Sequence, residues 1–231
     1  MTDTARPIAV VTGATGGMGS EIVRELARTH TVHAIGRRAD ALAALEGEHV
    51  RAHRIDLADA EALAAFGAGL RRVDVLVHAA AIGDHISVED ADEATWLAAL
   101  TANVIAPALL TRALLPALRA AEATVVFIGS GAGTKPVPGS AVYTASKHAL
   151  RAVADVLRID EERNRIRVAT LAPGQTDTAM LRAMTPDDAY APERYIRPET
   201  VAGAVRALVE LPADAHITDL ALRPRQEIAR L

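Results

Sequence analysis

Cysteine is absent from the 231 residues, which excludes disulfides, iron–sulfur clusters, thiolate zinc sites and a thiol nucleophile together. Aromatic residues make up only 3% of the chain, too few stacking surfaces for a single-strand nucleic-acid platform. Positive charge is not in excess either. Against 25 Lys and Arg stand 29 Asp and Glu, and a net charge of −4 gives no electrostatic grip on phosphodiester backbones. Nucleic acid is not an expected partner. The opening residues MTDTARPIAVVTG hold no apolar stretch followed by a small-residue cleavage site, so the expected location is cytoplasmic. Ala94 to Thr111 carries no charge over 18 residues, roughly a bilayer span. Thr95, Thr101, Asn103, Pro107 and Thr111 interrupt it, and unsatisfied polar groups are costly in hydrocarbon. A buried helix with no membrane partner is the expectation.

What is present points to a folded α/β protein. Hydrophobic residues make up 50% and charged residues 23%, close to the globular average. Short β-branched runs alternate with longer Ala/Leu/charged segments, the pattern of strands each followed by a crossover helix and hence of a parallel sheet. The runs predict strands at Ile8–Val11, Thr31–Ile35, Val50–Ile55, Val73–Val77, Thr124–Ile128, Arg167–Leu171 and Ile217–Leu222. VDVLV and TVVFI are almost continuously apolar, as strands covered by helices on both faces are. Helices are predicted at Gly17–Arg28, Ala39–Leu45, Asp59–Leu70, Thr95–Ala120, Ala141–Arg163 and Pro198–Leu211. No Gly-, Ser- or Pro-rich linker divides the chain, so residues 1–231 read as one domain. About residues 175–197 the pattern breaks. PGQTDTAMLRAMTPDDAYAPERYIR, from Pro173 on, mixes proline, acid and methionine without a clear period and reads as a lid over a site.

The first strand runs into TGATGGMG, Thr12 to Gly19, and then into an amphipathic helix. Glycines in a strand-to-helix turn let backbone approach a pyrophosphate, and the helix N-terminus supplies N–H donors and positive dipole. A dinucleotide is the expected ligand, against Gly13, Thr15, Gly17, Met18 and Gly19; the plainer reading is a tight turn. The second strand ends in Gly36, Arg37 and Arg38. An acid there would bind the ribose 2′-hydroxyl of NAD, whereas arginines accommodate a 2′-phosphate. NADP(H) is preferred on this ground, with NAD(H) possible, and a solvated arginine face is the alternative. Asp56, with Leu57 beside it, closes the third strand and is expected to cap the next helix or to accept a bond from the adenine amino group. Ser130 follows the fifth strand, at the carboxyl edge where open α/β sheets bind ligands. Tyr143 follows it, and Lys147 lies four residues further on, one face of a helix bringing phenol and ammonium together. An adjacent cation stabilises phenolate, which is general acid/base machinery.

Taken together these residues resemble one family. TGxxxGxG at Gly13, Gly17 and Gly19, Asn103, Ser130, YxxxK at Tyr143 and Lys147, and Pro173-Gly174 after the sixth strand look like the short-chain dehydrogenase/reductases, over essentially the whole chain. The resemblance implies an α/β fold, a doubly wound parallel seven-stranded sheet (Rossmann fold) with helices on both faces. It also implies hydride transfer between nicotinamide and a carbonyl or alcohol carbon. Carried onto this chain, Tyr143 is the acid/base, Ser130 orients and polarises the carbonyl, and Lys147 holds the nicotinamide ribose and lowers the tyrosine pKa. Asn103 maintains a water-linked proton relay, and Thr176 or Thr178 sits near the nicotinamide carboxamide and pyrophosphate. A homodimer or homotetramer is implied, through the helices at Thr95–Ala120 and Ala141–Arg163.

One motif departs from the family. Where NNAG is usual after the fourth strand, this chain has His78, Ala79, Ala80 and Ala81, with Ala79 still expected against the cofactor. His78 reads as a hydrogen-bonded structural side chain, since no second ligand lies at a metal-binding spacing. No metal is expected. TGATGGMG also fits the TGxxGxxG of extended relatives acting on nucleotide sugars, but too few residues follow the sixth strand for a sugar-nucleotide domain. The expected function is an NADPH-preferring carbonyl reductase or alcohol dehydrogenase acting on a small-molecule carbonyl or alcohol substrate. The alternative is a dinucleotide-sensing regulator without turnover, a class that tends to lose the tyrosine or the lysine.

Overall fold

The central apolar runs become strands buried from both sides, and the two edge strands stay partly exposed. The computed structural model describes residues 6–226, so the extremities of the expected domain, 1–5 and 227–231, lie outside the described residues. Its strands are β1 (Ile8–Thr12), β2 (Thr31–Gly36), β3 (Val50–Arg54), β4 (Val75–His78), β5 (Thr124–Ile128), β6 (Arg167–Pro173) and β7 (Asp219–Leu222). They form one seven-stranded sheet in the order β3-β2-β1-β4-β5-β6-β7, with every pairing parallel. The order reverses between β1 and β4, and a cleft opens at that switch above the carboxyl ends.

The helices are α1 (Gly17–Ala27), α2 (Ala39–Ala43), α3 (Ala60–Ala68), α4 (Glu93–Leu100), α5 (Ala106–Arg119), α6 (Ala141–Asp160), α7 (Ala179–Met184) and α8 (Pro198–Val209). On one face of the sheet α1 and α8 bury Ile22, Leu26, Val201 and Val205. On the other, α3, α5 and α6 bury Leu63, Leu110, Leu114 and Leu150. The uncharged stretch thus runs from α4 into the first turns of α5, and the α5 residues Leu110, Leu114 and Leu118 lie fully inside the core.

Three expectations need correction. The helix expected at Thr95–Ala120 begins earlier, because Asp92 caps α4 by accepting from Thr95 N at 2.8 Å. It is also broken by a π turn at Thr101–Ile105, where Ala106 N reaches back to Thr101 O. Pro107 lacks the N–H that would meet the Asn103 carbonyl in a regular helix, so the wider turn costs little. Asp56 caps no helix. It bends the chain by accepting from Ala58 N at 3.0 Å, while Asp59 caps α3 through Ala62 N at 2.9 Å. The segment 175–197 is not wholly irregular, since it holds α7, capped by Thr178, and a 3-10 turn at Pro192–Arg194. Its Tyr190 and Tyr195 rings meet edge on, and the Tyr190 hydroxyl donates to Asp177.

His78 sits at the end of β4, fully enclosed. Its Nε2 is 2.8 Å from Thr111 Oγ1 on α5 and its ring stacks on Phe127 at 4.8 Å. Burial alone pushes its pKa down to about 3. The native state therefore holds fewer protons than the unfolded chain between pH 6.5 and 3, and stability must fall as pH falls through that window. Between pH 6.5 and pH 4 the expected loss from this one group is about 3 kcal/mol. His78→Asn should be less stable than the parent at pH 7, through lost stacking, yet lose less between pH 6.5 and 4. Urea denaturation at both pH values checks this; parallel losses in the two proteins would remove His78 as the cause.

Candidate active site

The turn between β1 and α1 is built on close approach. Gly13 has φ +65°, and a Cβ there would stand 2.6 Å from Ala80 Cα. A Cβ on Gly19 would stand 2.1 Å from the Gly13 carbonyl oxygen. Only glycine fits either place. Gly16 precedes α1 with no side chain capping it, so the first N–H groups of α1 are left for a ligand.

These residues edge a cleft of about 600 Å³. Of the residues singled out for the cofactor, Gly13, Thr15, Gly17, Met18 and Gly19 line its floor, and Arg37, Arg38, Asp56 and Leu57 line one end. Ala79 and Thr178 also line it, the latter crossing α1 with its Cγ2 3.0 Å from where a Gly17 Cβ would be. Arg38 is already committed, donating to the Thr15 carbonyl. Arg37 has no hydrogen bond or ion pair among the described residues. Pro173, Gly174 and Thr176 lie off the cleft wall; Pro173 closes β6, and the buried Thr176 donates to the Gly174 carbonyl at 3.0 Å. At the other end the cleft reaches Ala81 and Ile82.

Asn103, Ser130, Tyr143 and Lys147 do not line the cleft; Ile82 links it to them. Asn103 is completely buried in the π turn. Its amide clamps the Ile82 backbone at both ends, accepting from Ile82 N and donating to Ile82 O, each at 2.8 Å, and also donates to Ser146 Oγ at 2.9 Å. The next residue, Gly83, lies flat against Tyr143; a Cβ there would stand 2.6 Å from Tyr143 Cδ2. Sequence reasoning did not find Gly83, because its role depends on an approach from a helix sixty residues away. Ala141 N donates to Ile86 O at 3.0 Å, and Ser140 Oγ lies 2.6 Å from His85 Nδ1. The start of α6 is thus tied to the loop after β4 at several points.

Ser130, from the end of β5, lies near enough to the Tyr143 phenol to draw its pKa down, and its hydroxyl accepts from Ala132 N at 3.1 Å. Lys147, one turn along α6, is buried with Nζ 3.0 Å from the Ile128 carbonyl and 5.7 Å from the centre of the Tyr143 ring. Burial brings its pKa down to about 8. The phenol behaves differently from expectation. Burial pushes Tyr143 up, and the group that pulls it back is Ser130; the Lys147 ammonium is turned to the Ile128 carbonyl. Among the described residues no three His, Asp or Glu side chains gather as a metal site. His33 and His53 pair with each other across β2 and β3, Nδ1 to Nε2 at 2.9 Å.

Comparison with known proteins identifies the family. The family description "short chain dehydrogenase" matches residues 7–189. The NADP-dependent 3-hydroxy acid dehydrogenase YdfG of Salmonella typhi is 32% identical over 237 residues, covering 94% of this chain and 94% of that protein. The chain spans 61% of the length of another relative, dehydrogenase/reductase SDR family member 7B of Bos taurus, at 34% identity over 199 residues. The structure of an alcohol dehydrogenase from the archaeon Thermococcus sibiricus, complexed with 5-hydroxy-NADP, superposes with a TM-score of 0.88 at 26% identity, over 97% of this chain and 99% of that one. A family match over residues 7–189 and a relative matched almost end to end make this chain a member of the short-chain dehydrogenase family and an oxidoreductase.

Proposed function

We propose that the protein transfers a hydride between NADP(H) and a carbonyl or secondary-alcohol carbon of a small or medium organic substrate. The observation that carries this reading is the convergence of Ser130 beside the Tyr143 phenol with the buried Lys147 ammonium 5.7 Å from the centre of the tyrosine ring. NADP(H), when bound, supplies or accepts the hydride. Tyr143 exchanges a proton with the substrate oxygen, and burial keeps the phenol protonated near neutrality, ready to donate during reduction. Ser130 donates to the same oxygen and draws charge onto it. Lys147 compensates charge developing on the phenol and would hold the cofactor's ribose. Asn103 acts through position, by fixing Ile82 and so the Gly83 wall of the tyrosine.

For the cofactor, the glycine cradle and the uncapped start of α1 suit a pyrophosphate, and the uncommitted Arg37 suits a 2′-phosphate. The names of YdfG and of the NADP-type complex support the same choice. Large apolar side chains stand exposed on α4 to α6, among them Leu97, Val156 and Ile159. They support assembly into a homodimer or homotetramer, and the reading includes a cytoplasmic location.

Tyr143→Phe removes the transferable proton with little change of shape. Turnover should fall by about 10²–10⁴-fold with the NADPH dissociation constant retained, followed by nicotinamide absorbance with a panel of ketones and aldehydes. Near-full activity would refute the mechanism.

Gly83→Ala drives a methyl into the tyrosine ring and displaces the phenol. It should lower kcat about tenfold or more while cofactor affinity, set at the far end of the cleft, stays within about twofold.

Arg37→Ala should weaken NADPH about ten- to a hundredfold and leave NADH nearly unchanged, as expected for one charge-assisted contact. An acid at Gly36 is the wrong probe, because its Cβ would stand 2.9 Å from Thr15 Cγ2. Fluorescence titrations at fixed salt make the comparison. Equal or tighter NADH binding by the parent would withdraw the NADP assignment and leave the dehydrogenase assignment standing.

A further inference from the structure

Beyond β7 the chain turns back over the carboxyl edge of the sheet. Gly174 N donates to Leu222 O at 2.7 Å, extending the β6–β7 pairing by one residue. Arg223 comes next, followed by Pro224. A residue before proline is held extended, and Pro224 itself is pressed onto Gly174, its Cδ 2.9 Å from where a Cβ there would stand. The backbone of Arg223 is thereby fixed, and its side chain runs across the end of β6 to the end of β5. Both terminal nitrogens of its guanidinium lie 3.2 Å from where a Gly131 Cβ would be, and its Cδ lies 3.6 Å from the corresponding point on Gly174. Two glycines leave the room it occupies. Gly131 directly follows Ser130, about 3.8 Å along the backbone.

This cation has no ion pair or hydrogen bond among the described residues. The arginines that fasten the neighbouring strands do. Arg167 in β6 donates to Thr124 Oγ1 at 3.1 Å and to the Leu211 carbonyl at 2.9 Å, and Arg151 on α6 pairs with Asp219 of β7 at 2.9 Å. Arg223 is therefore an exposed fork of donors held against Gly131, the residue after Ser130, with its hydrogen-bonding capacity unused among the described residues.

We propose that Arg223 is a specificity residue that recognises a carboxylate on the substrate, one or two carbons from the carbon that exchanges the hydride. The planar guanidinium matches a carboxylate in a two-point bond. A substrate oxygen at Ser130 and a carboxylate at Arg223 would fix both ends of a short hydroxy or oxo acid and present one face of its reacting carbon. This rests on the oxidoreductase reading above and narrows it to acids.

The test compares 2- and 3-hydroxy acids of three to six carbons with their methyl esters, which keep the reacting carbon and lose the charge. With NADP⁺, the parent should show a kcat/KM for its best acid about ten- to a hundredfold above that for the matching ester. Arg223→Ala should abolish that ratio, and Arg223→Lys should restore part of it. Arg225→Ala, a control two residues away, should leave it intact. Calorimetric titration of the same acids into NADP⁺-loaded Tyr143→Phe, with and without Arg223→Ala, reads binding independently of turnover. Equal use of acid and ester by the parent, a matching fall for both in Arg223→Ala, or acid binding indifferent to Arg223 would overturn the proposal. The oxidoreductase reading fails in a different way, through absence of turnover with the neutral ketones as well.

Discussion

The approach of the end of β1 to the end of β4 is the constraint on which the rest of the site depends. Gly13 leaves the strand in the left-handed region and passes so close to Ala80 that no Cβ can stand between them. That contact occurs where the strand order reverses, with Val11 opposite Val77 and Thr12 opposite His78. The parallel register carries it onward. Because β4 pairs with β5, the segment that leaves β4 beneath the cofactor cleft passes directly toward Ser130 and α6. A shift of β4 against β1 would separate the cradle from the acid/base group, since no covalent link shorter than sixty residues joins Gly83 to Tyr143.

The tie between those halves is polar and buried, which makes it demanding. Asn103 places three hydrogen bonds inside the protein, two to one residue's backbone and one to Ser146 on α6. Unmade, each would cost about 1–3 kcal/mol. Made together, they allow a single arrangement of the π turn, the loop after β4 and the tyrosine helix. Lys147 follows the same logic with charge: its ammonium is taken out of water and given one carbonyl, and burial lowers its proton affinity as a result. A site held by such groups is pre-organised, because the folding that buries them also aims them.

Much of this was legible in the sequence, and the limits have physical causes. Parallel strands sandwiched by helices write themselves as short apolar runs, so all seven strands could be placed, and β5 with its observed bounds. Glycines at a strand-to-helix turn and a tyrosine four residues before a lysine are local patterns, readable without knowing what lies across the fold. Gly83 and Arg223 carry no local signal. One is a wall for a ring from another element, and the other reaches across two strand ends. The cap role suggested for Asp56 failed because Asp59, three residues on, takes it at the expected start of the helix, and the helix expected at Thr95–Ala120 failed where Pro107 lets a π turn replace the regular one.

The departure at His78 to Ala81 shows how a family motif can change without loss of the frame. The side chain of His78 points away from the cleft to Thr111 and Phe127, so its identity answers to packing in the α5 core. On the cleft side the contacts belong to backbone. Ala80 N donates to Thr12 Oγ1 at 3.4 Å, and both backbone groups of Ile82 are taken by Asn103. Gly13 lies against the Ala80 backbone, a contact that asks for no amide side chain. Where the peptide groups make the bonds and the side chains need only be small, alanines serve. The residues that cannot be exchanged in this way are those whose side-chain atoms do the chemistry.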